Sequence, residues 1–533
     1  MVSSEKERIM SHTTTSGIGS TGADSGPRGG KPAPGRRLGA VLVWLLFTGL
    51  SVAVMLTGRV GTGESADQIN YHLPVIRMFA QQLPTPHLAK YDSATTPGYH
   101  LVMSALWNFT GAGDRWASTP KAPVGAGPTP EYPGVMLDDA ERAEWEAFVR
   151  ALLPLQVLNI LLSAMLPLTV YLLASRYTAW WVAAALTLPL AMNQYVLGAS
   201  IWLTTDNIGW WLALSALGSA VVLSCTGGAA RAGVWASAAV FVRQVHLWVC
   251  GPIFAAGLLA WLMGRRETRN RTLLATVLAC TVPTLIVGAF VWLWGGLTPP
   301  SERIREVHGH GTNPAAVALA LSLFGAYGVV FFGAWRDELS GILRRPAVPL
   351  AVALVALLLG VAFATSTQQP TLTDPPMRGY GWLWRLSGMF PAIKDRSILL
   401  AVGAPVGALM LCVMLRAAAA RGHARQATIL TIGLGCWLAA QVVNPAAWQR
   451  YFDPIVLTAV IWIVALATPT QRLKSVTAGA VVLALLMSGL AYRSIWRDLA
   501  KNELPFDGGV LKMQGKLAPK PAPDLAAPAS IRP

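Results

Sequence analysis

Long apolar segments separated by short polar connections constrain this sequence more than any other feature. A helix needs about 20 apolar residues to cross a bilayer core, and a helix satisfies its own backbone hydrogen bonds there. The apolar segments cover residues 37–56, 149–173, 178–194, 208–225, 234–263, 272–295, 315–333, 347–365, 396–416, 427–443, 452–467 and 474–490. They predict an all-α, polytopic integral membrane protein with about 11 to 13 transmembrane helices.

The composition supports this prediction and argues against several classes of soluble protein. Only 13% of the residues are charged, against about a quarter in soluble proteins, and the mean hydropathy is +0.47. The net charge of +16 is not arranged as a basic patch interleaved with aromatic side chains, so nucleic-acid binding is not expected. The sequence has no Gly-rich phosphate loop, which argues against a nucleotide as direct substrate. The five cysteines form neither a CxxC pair nor a metal-ligand spacing.

The pattern divides the chain into three parts. Residues 1–37 are predicted to be a disordered cytoplasmic tail, residues 38–490 a transmembrane domain, and residues 491–533 a largely disordered C-terminal tail. Basic loops such as 265–271 fall on the side of the N-terminal tail, and the positive-inside rule puts that side in the cytoplasm. The first loop, 58–148, then faces outward, and we expect the chemistry on that face. The Ala-, Gly-, Val- and Arg-rich composition suggests a bacterial inner (plasma) membrane.

The first loop contains two predicted helices. Residues 97–109 are apolar but too short to span a bilayer, so we expect them to lie along the interface or dip into it. Residues 138–153 are predicted to form a helix that leads into the second span.

The same loop also carries two groups of polar residues with chemical potential. Asp67 follows the first span within a helix-prone stretch that includes His72, and its carboxylate could accept a proton from a hydroxyl nucleophile. The alternative is a simple helix N-cap. The second group offers Asp92, Thr95 and Thr96 before a Pro-Gly turn, where the alternative is an Asx or Ser/Thr turn.

Three further polar sites lie within or beside the apolar segments. Residues 234–263 are too long for one crossing and are interrupted by "RQVH", so we predict two short helices broken around Arg243. A charged Arg243, with Gln244 beside it, is costly at membrane depth and suggests a functional anion partner such as a lipid phosphate. Arg450 at the edge of a later span could act likewise, or could simply extend toward the interface. Asp206 in "TTDN" could contact substrate, or could be an N-cap.

Taken together, these motifs resemble a known family. The pattern D-x-x-x-x-H-x-P followed by D-x-x-T-T-P-G-Y resembles the opening loop of the alpha-1,2-glucosyltransferases that add the last glucose to the dolichol-linked oligosaccharide. The matching positions are Asp67, His72, Pro74, Asp92, Thr95, Thr96, Pro97 and Gly98. Two later segments resemble the family's Phe-Arg-Gln and Arg-Tyr-Tyr motifs, matching at Arg243, Gln244, Arg450 and Tyr451. Gln68 and His246 depart from the family pattern.

The resemblance implies a membrane glycosyltransferase of the GT-C type. Such an enzyme moves a hexose, here glucose-like, from a polyprenyl-phosphate-sugar donor to a lipid-linked or cell-envelope glycan acceptor by a single inverting displacement. It implies Asp67 as the base, Arg243 and Arg450 as phosphate ligands, and Asp92 and Asp206 as acceptor-positioning residues. His72, Thr95, Thr96, Gln244 and Tyr451 are expected to contribute to substrate binding. Membrane lipids are the other expected partners.

No cofactor and no metal site are predicted, because His308 and His310 have no third ligand nearby. The alternative function is a multi-pass transporter or a lipid or glycan flippase without catalytic activity. Such a protein is expected to contain broken helices in both halves, whereas the sequence indicates one break, in 234–263. A scaffold subunit would leave the polar first loop unexplained. A transferase of the protein mannosyl or lipid A aminoarabinose type would share the architecture and differ in its acceptor.

Overall fold

The computed structural model describes residues 34–56, 67–113, 139–223, 225–263, 266–301, 311–344, 346–364 and 381–500. These residues are mostly helical. They also contain one small antiparallel hairpin, in which β1 (Ala392–Ile393) pairs with β2 (Arg396–Ser397). The prediction of an all-α, polytopic integral membrane protein is confirmed by this architecture and by its long apolar helices.

The helices fall into two sets along the chain. Those before residue 301 are α1 (Pro34–Leu56), α2 (Leu73–Gln82), α3 (Gly98–Phe109), α4 (Asp139–Ala174), α5 (Trp180–Ala191), α6 (Gln194–Ile201), α7 (Asp206–Val221), α8 (Thr226–Val242), α9 (Cys250–Met263) and α10 (Arg266–Trp294). Those after residue 310 are α11 (Ala315–Gly328), α12 (Phe332–Arg344), α13 (Ala347–Phe363), α14 (Trp382–Gly388), α15 (Ile398–Ala418), α16 (Ala424–Val442), α17 (Asp453–Ala467) and α18 (Leu473–Ala500).

Eight helical segments of the described chain are long and apolar enough to cross a membrane, or nine if the bent pair α5–α6 forms one span. The predicted 11 to 13 exceeds this number for two reasons. The segment Ile398–Val442 has 45 residues and joins α15 to α16, so at about 1.5 Å per residue it is long enough for two crossings of a bilayer core of about 30 Å. In addition, the predicted spans at α7, α8 and α13 are present as helices, but they are shorter or less apolar than the eight.

The predicted break around Arg243 is confirmed. Helix α8 ends at Val242, and Arg243 is extended, with φ −149° and ψ 116°. A turn of 3₁₀ helix, Gln244–Val249, then leads into α9. Arg243 therefore lies between two helical segments, in an extended conformation that belongs to neither.

A second break was not predicted from the sequence. Helices α5 and α6 meet at 73°, and Asn193 lies at the corner. Its side-chain oxygen accepts hydrogen bonds from the backbone N–H groups of Tyr195 and Val196, at 3.0 and 3.3 Å. An Asn N-cap starts a new helix in a new direction. The expectation of a single broken segment is therefore wrong, although both breaks lie in the same half of the chain.

The first loop is built largely as expected. A short π-helical turn, Gln68–His72, leads directly into α2, and α3 forms the predicted short apolar helix. Helix α4 begins at Asp139 and continues into the second span, as predicted for residues 138–153. The predicted domain limits differ slightly from the helix ends, since α1 begins at Pro34 and α18 continues to Ala500. The remaining residues of both predicted tails lie outside the described ranges.

Helices α11 and α15 pack with their backbones in contact. Gly407 of α15 lies directly against the carbonyl group of Leu321, and a Cβ atom at Gly325 of α11 would lie 3.2 Å from the Gly407 nitrogen. Small residues permit this approach, which is the usual way in which membrane helices gain packing and weak backbone contacts. Any side chain at Gly407 would have to separate the two helices.

We therefore expect Gly407→Ala to lower the stability of the protein by about 1 to 3 kcal/mol, because the new methyl group overlaps the Leu321 carbonyl. Thermal unfolding in detergent micelles measures the effect. Gly435→Ala in α16 is the matched control, since no atom lies within 4 Å of its Cβ position. The control is expected to be neutral or to stabilise its helix by up to about 1 kcal/mol. Equal unfolding temperatures for the two variants would contradict the packing argument.

Candidate functional site

Asp67 and Arg450 form an ion pair between distant parts of the chain. Asp67 occupies the position before the π-helical turn but makes no side-chain capping bond, so the N-cap alternative is wrong. Its carboxylate instead accepts a hydrogen bond from the Arg450 guanidinium, 383 positions away in the sequence. Arg450 lies in a 3₁₀ turn, Gln449–Tyr451, just before α17. The side chains are 22% and 13% exposed, so water screens this pair only partly.

A second ion pair joins Asp206 to Arg243. Asp206 is the first residue of α7, after Thr205 at the N-cap position, and its carboxylate accepts a hydrogen bond from the Arg243 guanidinium. The N-cap alternative for Asp206 is therefore wrong as well. The extended backbone of Arg243, at the end of α8, directs this side chain toward the start of α7. The two side chains are 12% and 15% exposed.

Tyr451 connects the two ion pairs. The guanidinium carbon of Arg243 lies 5.1 Å from the Tyr451 ring centroid, and that of Arg450 lies 5.0 Å from the same centroid. Arg450 also donates a hydrogen bond to the Tyr451 hydroxyl, at 3.1 Å, and lies 4.7 Å from the Trp448 ring. Cation–π attraction therefore holds both arginines beside one aromatic ring. Two carboxylates and two guanidinium groups, with formal charges that cancel, meet at the ends of helices.

His72 lies beside this charged group and pairs with His100. Its Nδ1 atom is 3.0 Å from Nε2 of His100, and the two rings are stacked. Burial lowers the pKa of His100 to about 3, partly opposed by a hydrogen bond with the backbone of Thr96. Burial lowers the pKa of His72 well below its ordinary value, and His100 and the charges of Arg243 and Arg450 lower it further. Both rings are neutral at physiological pH, so one donates to the other.

Gln244 holds the Thr-Thr-Pro-Gly loop rather than facing the two ion pairs. Its side-chain oxygen accepts a hydrogen bond from the Thr96 N–H at 3.1 Å, and its amide donates to the carbonyls of Ala94 and Leu297 at 2.7 and 2.9 Å. The Thr96 hydroxyl donates to the carbonyl of Val240 at 2.7 Å. These bonds attach the loop to the break after α8.

The neighbouring loop residues make similar local contacts. The hydroxyl of Thr95 lies 3.1 Å from that of Ser93, and Asp92 accepts a hydrogen bond from the Ser301 hydroxyl at 2.8 Å. Gly98 lies so close to the backbone of Phe241 that a Cβ atom would be 2.5 Å from its carbonyl oxygen. The described contacts do not join Asp92, Thr95 or Thr96 to the ion pairs, and their predicted binding role stays a prediction.

Sequence reasoning missed several residues that support the site. His100 gives no signal of its own in an apolar stretch, and its partner His72 is 28 positions away. Trp448 directly precedes the "QRY" motif but was not connected with Arg450. Gln68, noted as a departure from the family pattern, is fully buried and accepts a hydrogen bond from the Leu203 N–H at 2.7 Å. This bond fixes the backbone next to Asp67.

Asp453 forms a separate buried network that the sequence also left unassigned. Its carboxylate accepts hydrogen bonds from Tyr327 at 2.8 Å, Asn193 at 3.0 Å and Gln449 at 3.1 Å. Gln449 in turn accepts a bond from the Leu383 N–H at 2.9 Å. These bonds connect α17 to the α5–α6 corner, α11 and α14. The network fixes the residue before Arg450 and so orients the 3₁₀ turn.

Among the described residues, the structure contains no group of three or more His, Cys, Asp or Glu side chains that could hold a metal ion. His308 and His310 lie outside the described ranges.

Comparisons with known proteins do not assign a family. No family profile matches the chain, and no curated protein matches it. Among solved structures, the chain is similar to the apo form of the oligosaccharyltransferase from Archaeoglobus fulgidus, with 13% identity and a TM-score of 0.31 over 81% of this chain and 57% of that chain. The chain therefore spans less than two thirds of the length of this neighbour. Similarity of this degree does not establish a shared fold or activity.

The buried histidine pair gives the protein a pH-dependent stability. Unfolded histidines have a pKa of about 6.5, so below that pH the unfolded chain binds protons that the folded chain excludes. The free energy of unfolding is therefore highest above about pH 6.5, and it decreases as the pH falls from there toward 3. We expect protonation linked to His100 to lower the free energy of unfolding by about 2 kcal/mol between about pH 7.5 and about pH 5.

Thermal unfolding of the wild type and His100→Gln at these two pH values measures this effect. The amide can still hydrogen bond to His72 but does not titrate, so the variant should lose less stability on acidification than the wild type. An unchanged pH dependence would contradict the proposed neutral pair.

Proposed function

We propose that this protein is a membrane glycosyltransferase of the GT-C type, which moves a hexose from a polyprenyl-phosphate-sugar donor to a lipid-linked or cell-envelope glycan acceptor. The donor is glucose-like by the family resemblance. The reaction is a single displacement that inverts the anomeric centre. The distribution of basic loops favours an outward-facing site, and the Ala-, Gly-, Val- and Arg-rich composition favours the inner membrane of a bacterium.

The observation that carries this proposal is the convergence of both ion pairs on Tyr451. A lipid phosphate is the leaving group, and its developing charge must be stabilised where water is scarce. The guanidinium groups of Arg243 and Arg450 both contact the Tyr451 ring, each about 5 Å from its centroid. The fixed geometry of guanidinium N–H donors suits phosphate oxygens. The side chains of Arg243 and Arg450 are 15% and 13% exposed, and we propose that a lipid-bound phosphate reaches them through this exposed surface.

One of the two paired carboxylates is the proposed base that accepts the proton of the acceptor hydroxyl. The nucleophile is a sugar hydroxyl, which is weak at neutral pH and needs a base within hydrogen-bond reach. Asp67 is the proposed base because it is the more exposed of the two paired carboxylates, at 22% against 12% for Asp206. Asp206 fixes Arg243, and the neutral His72 can donate or accept a hydrogen bond to a sugar hydroxyl. Because the hydroxyl displaces the phosphate in a single step, the anomeric centre is inverted.

The polar loop forms a second part of the proposed site. The Thr95–Thr96 segment is attached to the break by Gln244 and continues into α3. Asp92 precedes this segment in the chain and is exposed. We propose that its carboxylate positions an acceptor glycan. Hydrogen bonds from a rigid loop to sugar hydroxyls would set acceptor specificity.

One observation favours the second candidate, a transporter or flippase without catalytic activity. The 73° bend between α5 and α6 adds a second broken helix to the one at Arg243, and broken helices are common at transporter binding sites. However, both breaks precede residue 264, whereas repeat-built transporters have breaks at corresponding positions of two halves. Turnover of a donor distinguishes the two functions.

We expect the full-length protein in lipid nanodiscs to turn over one member of a panel of radiolabelled polyprenyl-phosphate sugars in the presence of glycan acceptors. Asp67→Asn keeps the shape of the side chain and removes the base. It should lower turnover by on the order of a hundred- to ten-thousandfold. The readout is label released from the donor and label found in the acceptor fraction.

Asp337→Asn is the matched control for this experiment. Asp337 also pairs with an arginine, Arg472, at 3.2 Å, but it is 58% exposed, and its described ion pairs do not involve the arginines beside Tyr451. This variant should retain wild-type turnover. Turnover that is equal in the wild type and Asp67→Asn would reject Asp67 as the base, and the lack of donor binding by the wild type would reject the transferase.

A further inference from the structure

The formal charges around Tyr451 cancel, and this has a consequence for the binding of an anion. Each arginine already has a carboxylate partner, Asp206 for Arg243 and Asp67 for Arg450. A donor phosphate that binds either guanidinium must therefore compete with a negative charge of the protein itself. One carboxylate has to leave its arginine, since two anions on one partly buried cation would be poorly neutralised.

We propose that the donor phosphate displaces Asp67 from Arg450, and that this displacement makes Asp67 available as the base. The proposal rests on the proposed function. Donor binding would then precede and enable deprotonation of the acceptor. In the absence of donor, Asp67 is held by Arg450 and cannot accept the acceptor proton.

Arg450 is held firmly enough to remain in place when its carboxylate leaves. Its guanidinium donates to the Tyr451 hydroxyl at 3.1 Å and lies 4.7 Å from the Trp448 ring centroid. Both contacts are independent of Asp67. The 3₁₀ turn that carries Arg450 is fixed in turn by the Gln449 side chain, which contacts Asp453 at 3.1 Å. The cation is therefore preorganised and can exchange one anion for another.

Asp67 is the carboxylate better suited to leave. Asp206 is the first residue of a 16-residue helix, α7, where the helix dipole favours a negative charge, and it is only 12% exposed. Asp67 precedes a turn of 5 residues, makes no capping bond, and is 22% exposed. Gln68 fixes the adjacent backbone through its bond to the Leu203 N–H. The displacement therefore requires rotation of one side chain rather than movement of a segment.

The chemical step balances with these groups alone. The acceptor hydroxyl transfers its proton to the Asp67 carboxylate as its oxygen forms a bond to the anomeric carbon. The bond between the anomeric carbon and the phosphate oxygen breaks, and both electrons leave with the polyprenyl phosphate. Arg450 and Arg243 face the added negative charge of this product. Once Asp67 has released this proton to water, its carboxylate again competes for Arg450 and favours release of the product.

The test is a binding experiment with full-length protein in nanodiscs and undecaprenyl monophosphate as the probe. Asp67→Asn and Asp206→Asn each remove one negative charge while keeping side-chain shape, so the general gain in anion affinity is the same in both. We expect Asp67→Asn to bind the probe about tenfold or more tightly than the wild type. Asp206→Asn should gain clearly less, because Asp206 is not the group displaced.

Two outcomes overturn the proposal and leave the proposed function in place. The first is that the wild type binds the probe and Asp67→Asn binds it no more tightly. The second is an equal gain in affinity for the probe in Asp67→Asn and Asp206→Asn. The double variant Asp67→Asn/Arg450→Gln must lose the gain, since the gain depends on Arg450. If Asp67→Asn does not fold, Asp67→Ser in the same assay gives the same prediction.

The source of the phosphate is tested with phosphatidic acid, which carries a phosphomonoester on a different lipid. A much smaller gain with phosphatidic acid supports the polyprenyl carrier, and an equal gain overturns it as the specific ligand. Failure of both the wild type and Asp67→Asn to bind undecaprenyl monophosphate would reject the proposed function and this inference together.

Discussion

Arg243 and Arg450 bring permanent positive charge into a part of the protein where water is scarce, so each needs a carboxylate nearby. An unpaired charge in a partly buried position costs several kcal/mol. Asp206 and Asp67 meet this requirement, and the start of α7, the end of α8, the π-helical turn and the 3₁₀ turn before α17 must therefore come together. The site is in this sense a result of charge neutralisation. The Tyr451 ring, in contact with both guanidinium groups, fixes the separation between the two pairs.

The sequence alone predicted the helices and one of the helix breaks better than the contacts between distant side chains. Apolar periodicity and segment length are local signals, and they predicted the spans, the short helix at 97–109 and the break at Arg243. The α5–α6 corner was missed because Asn193 as an N-cap gives a weak signal within an apolar run. The candidate residues Asp67 and Arg450 were both identified, but their pairing spans 383 positions. Local reasoning predicted a base or an N-cap for Asp67 and an anion ligand or an interfacial side chain for Arg450, but it could not predict that the two residues pair with each other.

The Thr-Thr-Pro-Gly loop shows why a motif can be identified correctly while the contacts of its residues are not. Thr96 and Gln244 are fully engaged with backbone groups, and Gly98 is needed because the chain passes directly against Phe241. These residues connect the first loop to the break after α8. The neutral His72–His100 pair extends the same scaffold toward the charged groups without adding charge. In the structure, the residues of the Thr-Thr-Pro-Gly motif hold neighbouring segments of the chain together.

The long sequence separation between Asp67 and Arg450 also affects how the protein is made. The ribosome completes Asp67, Asp206 and Arg243 while more than half of the chain remains to be synthesised, whereas Arg450, Tyr451 and Trp448 are added only with the last spans. The Asp67–Arg450 pair can therefore form only after the turn before α17 has been synthesised. A nascent chain that ends before Arg450 can form the Asp206–Arg243 pair but not the Asp67–Arg450 pair. Both ion pairs can be present only after the turn before α17 has been synthesised, so a chain truncated before that turn lacks the Asp67–Arg450 pair.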